Sequence, residues 1–280
     1  MIGIFKHEIA SFIEENFMDL GLTGKVALVT GGSEGIGKAA ALSMVAEGAK
    51  ATICARREDV LNAAADEIRA ATGGEVLAVS ADVSTAEGVQ KVIDATLSQF
   101  GRLDILVNNA GTSAAGPFES VTDEGWQTDL DLKLFGAIRF CRLAIPHMRE
   151  QGGGRIINVT NLGAKAPAAA SVPTSVSRAA GIAVTKAMSK EFAPDNILVN
   201  TVCIGLIKSG QHESRFERTM SDNPDNTLEG MYESMGSRVP LGRVGEAAEA
   251  GDVIAFLASE RASYLTGIAV NIDGGTSPVV

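Results

Sequence analysis

The chain has 280 residues, of which 45% are hydrophobic and 21% are charged, so it carries enough apolar material to fold around a core. Its formal net charge of -10 and its isoelectric point near 4.9 argue against nucleic acid or an anionic membrane surface as the main partner. No apolar stretch approaches the ~20 residues that cross a bilayer, so we expect a cytoplasmic protein without a membrane span.

Residues 1–17 form the first predicted element, an amphipathic extension. Its apolar side chains fall mostly on one helical stripe, which comprises Ile2, Phe5, Ile9, Phe12, Ile13 and Phe17. The segment carries glutamates and lacks a small-residue cleavage site, so it does not resemble a signal peptide. We expect it to pack on a neighbouring subunit or on the body of the protein, and Met18 is an alternative start of the chain.

Short β-branched runs alternate with longer helical segments from Lys25 onward. The predicted strands are VALVT (26–30), ATICA (51–55), VLAVS (76–80), ILVNNA (105–110), RIINVT (155–160), ILVNTVC (197–203) and IAVNI (268–272). Predicted helices between them include residues 37–49, 86–100 and 179–192. Strands that are apolar on both faces and separated by helices predict a single doubly wound α/β domain over residues 18–280, with helices on both sides of a parallel sheet.

The sequence TGGSEGIG, residues 30–37, follows the first predicted strand and opens the first helix. We call it the glycine loop. Glycines permit a tight turn and a close approach of the backbone, while amides at a helix N-terminus bind a diphosphate. The loop predicts a dinucleotide site, and its candidate residues are Gly31, Ser33, Glu34, Gly35, Ile36 and Gly37.

The residues after the second strand, ARRED, indicate which dinucleotide binds. At this distance from the loop, a carboxylate binds a free ribose 2′-hydroxyl, whereas a nearby arginine accommodates a 2′-phosphate. Arg56 and Arg57 occupy this position and suit a charge-assisted clamp on a phosphate. NADP is therefore favoured over NAD, and Glu34 is expected either to oppose the phosphate or to pair with Arg56.

The cysteines and histidines do not form a metal-binding pattern. Cys54, Cys141 and Cys203 are far apart and lie in apolar runs, which is typical of small buried side chains in a reducing compartment. The histidines are scattered too, and no metal site is expected.

A connection of about forty residues separates the strand at 197–203 from a helix near Glu246. Loops of this length in compact domains are usually functional, so residues 205–243 are predicted to form a substrate lid, with a decorative insertion as the alternative. His212 and Tyr232 in this segment are candidate proton donors.

Further motifs follow the glycine loop in a characteristic order. They are ADV (81–83), NNAG (108–111), GRIINVT (154–160) and DGG (273–275). Together with the glycine loop they resemble the short-chain dehydrogenase/reductase family from about residue 20 to the C-terminus. The resemblance implies a seven-stranded Rossmann sheet, a nicotinamide cofactor and a homotetramer or homodimer.

The resemblance also implies which residues contact the cofactor. Asp82 and Val83 correspond to the adenine site, and Asn109, Ala110 and Gly111 to positions beside the ribose and adenine. VNTVCIGLIKS (199–209) resembles the family segment near the nicotinamide, with Ile204 in place of a proline. The other cofactor contacts that the resemblance implies are Thr160, Arg178, Gly205, Ile207 and Ser209.

The catalytic positions depart from the family pattern. The family uses an Asn, a Ser, a Tyr and a Lys four residues after the Tyr, and these positions hold Lys133, Asn161, Thr174 and Arg178. The chain has two tyrosines, and neither is followed four residues later by lysine, so the loss is not an error of counting.

This departure removes the usual acid. Hydride delivery to a carbonyl leaves an alkoxide that needs a proton, and a threonine hydroxyl is a much weaker acid than a phenol of pKa ~10. Losing a positioned general acid costs on the order of 10²–10⁴ in rate, so a replacement is needed if the reaction is unchanged.

The residues at the catalytic positions suggest several roles. Arg178 suits the ribose hydroxyls, and Lys133 is a candidate acid or base, with a drifted surface or packing residue as the alternative. Asn161 is expected to bind a substrate oxygen and Thr174 to orient water or substrate. If Lys165 and Lys208 also point inward, the pocket is cationic and prefers an anionic small-molecule substrate.

Three functions remain open from the sequence. The first is an NADP-dependent oxidoreductase acting on a carbonyl, an alcohol or an activated alkene with a displaced proton donor. The second is a non-redox enzyme on the same scaffold, a lyase, an isomerase or a dehalogenase, and the third is a catalytically silent nucleotide-binding protein.

Overall fold

A parallel sheet of seven strands organises the part of the chain that the computed structural model describes, residues 18–219 and 226–280. The strands are β1 Val26–Thr30, β2 Lys50–Ala55, β3 Val76–Ser80, β4 Ile105–Asn108, β5 Gly154–Asn161, β6 Ile197–Ile204 and β7 Ala269–Ile272. Their spatial order is β3-β2-β1-β4-β5-β6-β7, and every neighbouring pair is parallel. The predicted Rossmann-like, doubly wound α/β fold is confirmed. The expected extension over residues 1–17 lies outside the described residues.

Helices cover both faces of this sheet. They are α1 Gly35–Ala46, α2 Glu58–Thr72, α3 Ala86–Phe100, α4 Asp123–Leu130, α5 Gly136–Glu150, α6 Thr174–Glu191, α7 Gly210–Thr219, α8 Leu228–Gly236 and α9 Ala247–Ala258. A π-helical segment, Asp131–Phe135, joins α4 to α5. Within the described residues, none of the helices is long and apolar enough to cross a membrane.

Two hydrophobic clusters form the core, one on each side of the sheet. Successive side chains of a strand point to opposite faces, so Val29 of β1 joins the cluster with α1, α2 and α9, while Leu28 joins the cluster with α3 and α5. Burial on both faces explains why the strands are nearly continuous apolar runs.

Strand β4 is shorter than the predicted 105–110, and the reason bears on the site. The backbone amides of Asn109 and Ala110 each donate to Thr30 Oγ1 over 2.9 Å, so a side chain of β1 replaces the next ladder bonds. The chain therefore leaves the sheet at the carboxyl ends of β1 and β4, which is where ligands bind in open α/β sheets.

Candidate active site

The glycine loop forms a close backbone cradle at the carboxyl end of β1. Gly31 and Gly35 have φ of 65° and 53°, a conformation that favours glycine. A Cβ on Gly37 would overlap the carbonyl oxygen of Gly31 and lie 2.5 Å from Asn109 Nδ2. Asn109 Nδ2 also donates to the carbonyls of Thr30 (2.9 Å) and Gly31 (3.1 Å), so the residue that follows β4 fixes the loop. The structure thus brings the loop and the NNAG motif together.

The two arginines after β2 differ in their surroundings. Arg57 forms an ion pair with Glu34 of the glycine loop, and both side chains are about half exposed. The expected pairing of Glu34 with Arg56 was therefore wrong, because Arg57 at the N-cap of α2 is the arginine that reaches back to the loop. Arg56 lies near Asp82, and its positive charge contributes to the lowered pKa of that carboxyl, which hydrogen bonds from Ser84 lower most.

The first part of the predicted lid crosses the cleft between these loops. Gln211 Nε2 donates to Gly111 O over 3.2 Å, and Gln211 Oε1 accepts from Ser113 N over 3.3 Å. A Cβ on Gly35 would lie 3.8 Å from Ser209 Cβ. The start of α7 is thus bonded to the loop after β4, and Ser209, just before α7, lies near the glycine loop. Residues 220–225 of the predicted lid lie outside the described residues.

Three other residues predicted to contact the cofactor are engaged within the protein. Thr160 Oγ1 lies 3.2 Å from Val202 O and 3.3 Å from Cys203 Sγ, so its hydroxyl is engaged by β6. Ile207 is buried and forms an isolated bridge with Gly245. Val83 is buried in the core. Cofactor contacts at these three positions, like those of Gly205 and Ile36, remain predictions.

Lys133 lies beside Thr174 in the interior of the protein. Lys133 Nζ donates to Thr174 Oγ1 over 2.9 Å and forms an ion pair with Asp129, one helical turn earlier. The Lys133 and Asp129 side chains are each 1% exposed. Two of the four residues predicted at the catalytic positions are therefore in direct contact. Because the Lys133 side chain is buried, the alternative of a drifted surface residue is wrong, while a packing role remains open.

The Thr174 hydroxyl also accepts a hydrogen bond from Ala114 N over 3.0 Å. Its own proton faces Asp129 Oδ1 at 3.4 Å, longer than the ~2.7 Å of a good O–H···O bond. Ser177, one turn along α6, donates to Asp129 Oδ2 over 2.6 Å. Thr174 thus accepts two good hydrogen bonds, while its own proton has a long contact with Asp129.

Arg178 and Asn161 each keep a polar atom without a protein partner among the described residues. Arg178 Nη1 donates to Val159 O over 2.6 Å, while its Nε is buried without an acceptor. Asn161 Oδ1 is buried without a donor. Burial lowers the pKa of Arg178 to about 10, and Asp129 opposes this shift. One hydrogen-bond donor and one acceptor of these two side chains are thus left without a protein partner among the described residues.

A small cavity lies behind these groups, between β4, β5, α5 and α6. Its polar lining comprises Asn108, Lys133, Asn158, Thr160, Ser177 and Arg178. The charged residues of this lining are Lys133 and Arg178, and Asp129 is the acidic partner at its edge. The immediate surroundings are therefore net positive.

The other candidate lysines point elsewhere, so the condition under which the sequence predicted a cationic pocket is not met. Lys165 Nζ donates to Ala269 O (2.7 Å) and Asn271 Oδ1 (2.6 Å) of β7. Lys208 pairs with Glu246 over 2.7 Å and lies over the ring of Tyr232, 5.5 Å from its centroid. Tyr232, on α8 of the predicted lid, is buried.

Sequence reasoning missed Asp129 and Ser177. The spacing of Asp129 and Lys133 is i and i+4, which places their side chains on one helix face, so this pair could have been found from the sequence. The packing of α4 against α6, which brings Ser177 to the same carboxylate, has no local signal. No group of three or more metal-ligating side chains occurs in residues 18–219 or 226–280.

Comparison with known proteins agrees with this architecture. A family model described as enoyl-(acyl carrier protein) reductase matches residues 31–277. The 3-oxoacyl-[acyl-carrier-protein] reductase of Synechocystis sp. is 36% identical over 91% of this chain and 97% of its own length.

Two solved structures are also similar over nearly the whole chain. L-sorbose reductase from Gluconobacter frateurii, solved with NADPH and L-sorbose, is 37% identical, covers 94% of this chain and 100% of its own, and superimposes with a TM-score of 0.89. A short-chain oxidoreductase from Pseudomonas aeruginosa PAO1, solved with NADPH and described as containing an atypical catalytic centre, is 35% identical, covers 93% of this chain and 99% of its own, and has a TM-score of 0.84.

Proposed function

This chain belongs to the short-chain dehydrogenase/reductase family, and from that premise we propose that it is an NADP(H)-dependent oxidoreductase of carbonyl or alcohol substrates in which Lys133, acting through Thr174, replaces the tyrosine acid. The observation that carries the proposal is the 2.9 Å contact between Lys133 Nζ and Thr174 Oγ1 at the position of the missing phenol. Reductases of sugars and of oxoacyl groups among the similar proteins support a carbonyl substrate.

The residues at the cleft fit a nicotinamide dinucleotide. The positive φ of Gly31 and Gly35 and the close packing of Gly37 on Gly31 form a tight turn at the start of α1, and such turns at a helix N-terminus bind a diphosphate. Arg56 and Arg57 would hold the 2′-phosphate, which favours NADP over NAD. The unpartnered Arg178 Nε and Asn161 Oδ1 would bind polar groups of the nicotinamide end or of the substrate. When bound, the nicotinamide supplies or accepts the hydride.

Lysine is a chemically reasonable replacement for the phenol. The ordinary pKa of a lysine ammonium is about 10.4 and that of tyrosine about 10, so the two acids have similar strength. Burial lowers the pKa of Lys133, its hydrogen bond with Asp129 raises it, and the charge of Arg178 lowers it further, with a net decrease. A lowered pKa makes the ammonium a stronger acid at neutral pH.

Thr174 supplies the path for the proton. As hydride reaches the carbonyl carbon, the carbonyl oxygen takes the hydroxyl proton of Thr174, and Thr174 Oγ1 takes a proton from Lys133 Nζ. The substrate alkoxide and the threonine alkoxide have similar proton affinities, so the transfer from Thr174 to the substrate is nearly balanced. The Lys133 ammonium is the stronger acid, so its proton transfer to Thr174 Oγ1 drives the sequence forward. Oxidation of the alcohol runs the same transfers in reverse, with neutral Lys133 as the base.

The test is NADPH consumption with a panel of ketones, aldehydes and activated alkenes, followed by the absorbance of the reduced nicotinamide. With a substrate from this panel, Lys133→Met is expected to lower kcat about 10²–10⁴-fold and to leave the Kd for NADPH nearly unchanged. The control is Lys91→Met, because Lys91 lies on the surface and binds Ser80 O.

Two results would contradict the proposal. Wild-type turnover in Lys133→Met would remove Lys133 from proton transfer. Tight NADPH binding without turnover across the panel would favour a silent nucleotide-binding protein. The homotetramer or homodimer remains a separate prediction, which light scattering after size-exclusion chromatography measures.

A further inference from the structure

Asp129 contacts Lys133 and Thr174, two of the residues predicted at the catalytic positions, although the sequence resemblance did not single it out. Its Oδ1 pairs with Lys133 and lies 3.4 Å from Thr174 Oγ1, and its Oδ2 accepts from Ser177 Oγ over 2.6 Å. Its side chain is 1% exposed. A buried carboxylate is costly unless it is paired and hydrogen-bonded, and both of its oxygens are engaged here.

The charges around Lys133 explain what this carboxylate does. α6 contributes Thr174, Ser177 and the positive Arg178, while the β4 and β5 residues that line the cavity contribute neutral amides and a hydroxyl. Burial and Arg178 both favour loss of the Lys133 proton. Among the described residues of this site, Asp129 is the negative group that opposes them.

We propose that Asp129 is a positioning residue for the proton donor: it keeps Lys133 in the ammonium form and directs Nζ at Thr174. The inference rests on the proposed function, because it assigns Asp129 a role through Lys133. Ser177 supports it, since its hydrogen bond to Oδ2 fixes the carboxylate plane and leaves Oδ1 for Lys133.

The backbone supports the same role. Lys133 lies in the π-helical segment Asp131–Phe135, between α4 and α5. Such π-bulges recur at functional sites. Asp129 lies in the regular helix just before the bulge, so its carboxylate anchors the displaced Lys133 side chain to the preceding turn.

The experiment titrates Lys133 directly and needs no substrate. Protein with isotope-labelled lysine is followed by NMR from neutral to alkaline pH, and the Lys133 resonance is assigned by its loss in Lys133→Arg. In Asp129→Asn the carboxylate that raises the pKa of Lys133 is gone, so that pKa is expected to fall and the proton affinity of Lys133 to drop about 10-fold or more. The matched control is Asp131→Asn, because Asp131 binds Gln127 and Arg139 at the surface.

A pH profile of carbonyl reduction provides the second readout. The ammonium form is the active acid, so the alkaline limb is expected to move to lower pH in Asp129→Asn and to stay in place in Asp131→Asn. Folding of each variant is checked by circular dichroism and by its Kd for NADPH. If Asp129→Asn does not fold, the wild-type titration decides: a Lys133 that is already neutral at neutral pH overturns the inference.

The outcomes separate this inference from the proposed function. An unchanged Lys133 titration in folded Asp129→Asn overturns the role of Asp129, even if Lys133→Met is inactive. Full activity of Lys133→Met overturns the proposed proton donor, whatever the titration shows.

Discussion

The carboxylate of Glu34 pairs with the guanidinium of Arg57 beside the glycine loop. The pair places a negative charge next to a predicted clamp for the 2′-phosphate of NADP. To bind the 2′-phosphate, Arg57 would have to leave the Glu34 carboxylate. Glu34→Gln removes that competitor, so it is expected to tighten NADPH binding about 10-fold and to change NADH binding little. Isothermal titration calorimetry measures both values, and the gain should shrink at high salt.

The matched control is Glu47→Gln, which makes the same change of net charge at the other end of α1. Equal gains from both variants would show a general effect of net charge. A weaker affinity for NADPH in Glu34→Gln would show that the carboxylate supports the bound nucleotide.

The arginine after β2 that is not paired with Glu34 gives the complementary prediction. Arg56→Ala is expected to weaken NADPH binding about 10–100-fold, because charge-assisted hydrogen bonds contribute roughly 1.5–3 kcal/mol. NADH lacks the 2′-phosphate and is expected to bind the variant almost as it binds the wild type. Equal losses for both nucleotides would remove Arg56 from discrimination and leave it a general role in the cleft.

The sequence was sufficient to predict the sheet and the meeting of the glycine loop with the NNAG motif. Apolar runs separated by helices allow little besides a covered parallel sheet, and counting from the motifs located Lys133 and Thr174, which are in contact. The ion pair of Glu34 with Arg57, rather than Arg56, depends on how α2 begins. The Lys165 side chain points toward β7 because it bonds to that strand, which lies about a hundred residues further along the chain. These ion pairs and hydrogen bonds follow from tertiary packing, which a local sequence pattern does not encode.

Gly37 tests the cradle itself. Since a Cβ there would overlap Gly31 O and crowd Asn109 Nδ2, Gly37→Ala is expected to lower the free energy of unfolding by about 1–3 kcal/mol and to abolish measurable NADPH binding. Denaturant unfolding and calorimetry measure the two effects. Gly125→Ala is the control, because its Cβ would make an ordinary contact 3.4 Å from Val121. If Gly37→Ala binds NADPH with wild-type affinity, the nucleotide binds at another site.

Gln211 tests whether α7 closes the cleft. Its amide joins Gly111 O to Ser113 N, so Gln211→Ala removes the two bonds that tie α7 to the loop after β4. We expect NADPH to dissociate about 3–10-fold faster, since each neutral hydrogen bond contributes roughly 0.5–1.5 kcal/mol. Stopped-flow fluorescence measures the rate, and Gln90→Ala on the surface of α3 is the control. An unchanged dissociation rate would show that α7 does not hold the nucleotide.

Thr174 decides whether the proton passes through a hydroxyl. Thr174→Val removes Oγ1, so Ala114 N loses its acceptor and Lys133 Nζ keeps Asp129 alone; stability is expected to fall by about 1–3 kcal/mol. In the fraction that is folded, kcat is expected to fall about 10²–10⁴-fold while the Kd for NADPH stays near that of the wild type. Thr174→Ser keeps the hydroxyl and should retain most of the activity. If the valine and serine variants turn over equally, Lys133 delivers the proton without Thr174, and the 2.9 Å contact between them is structural.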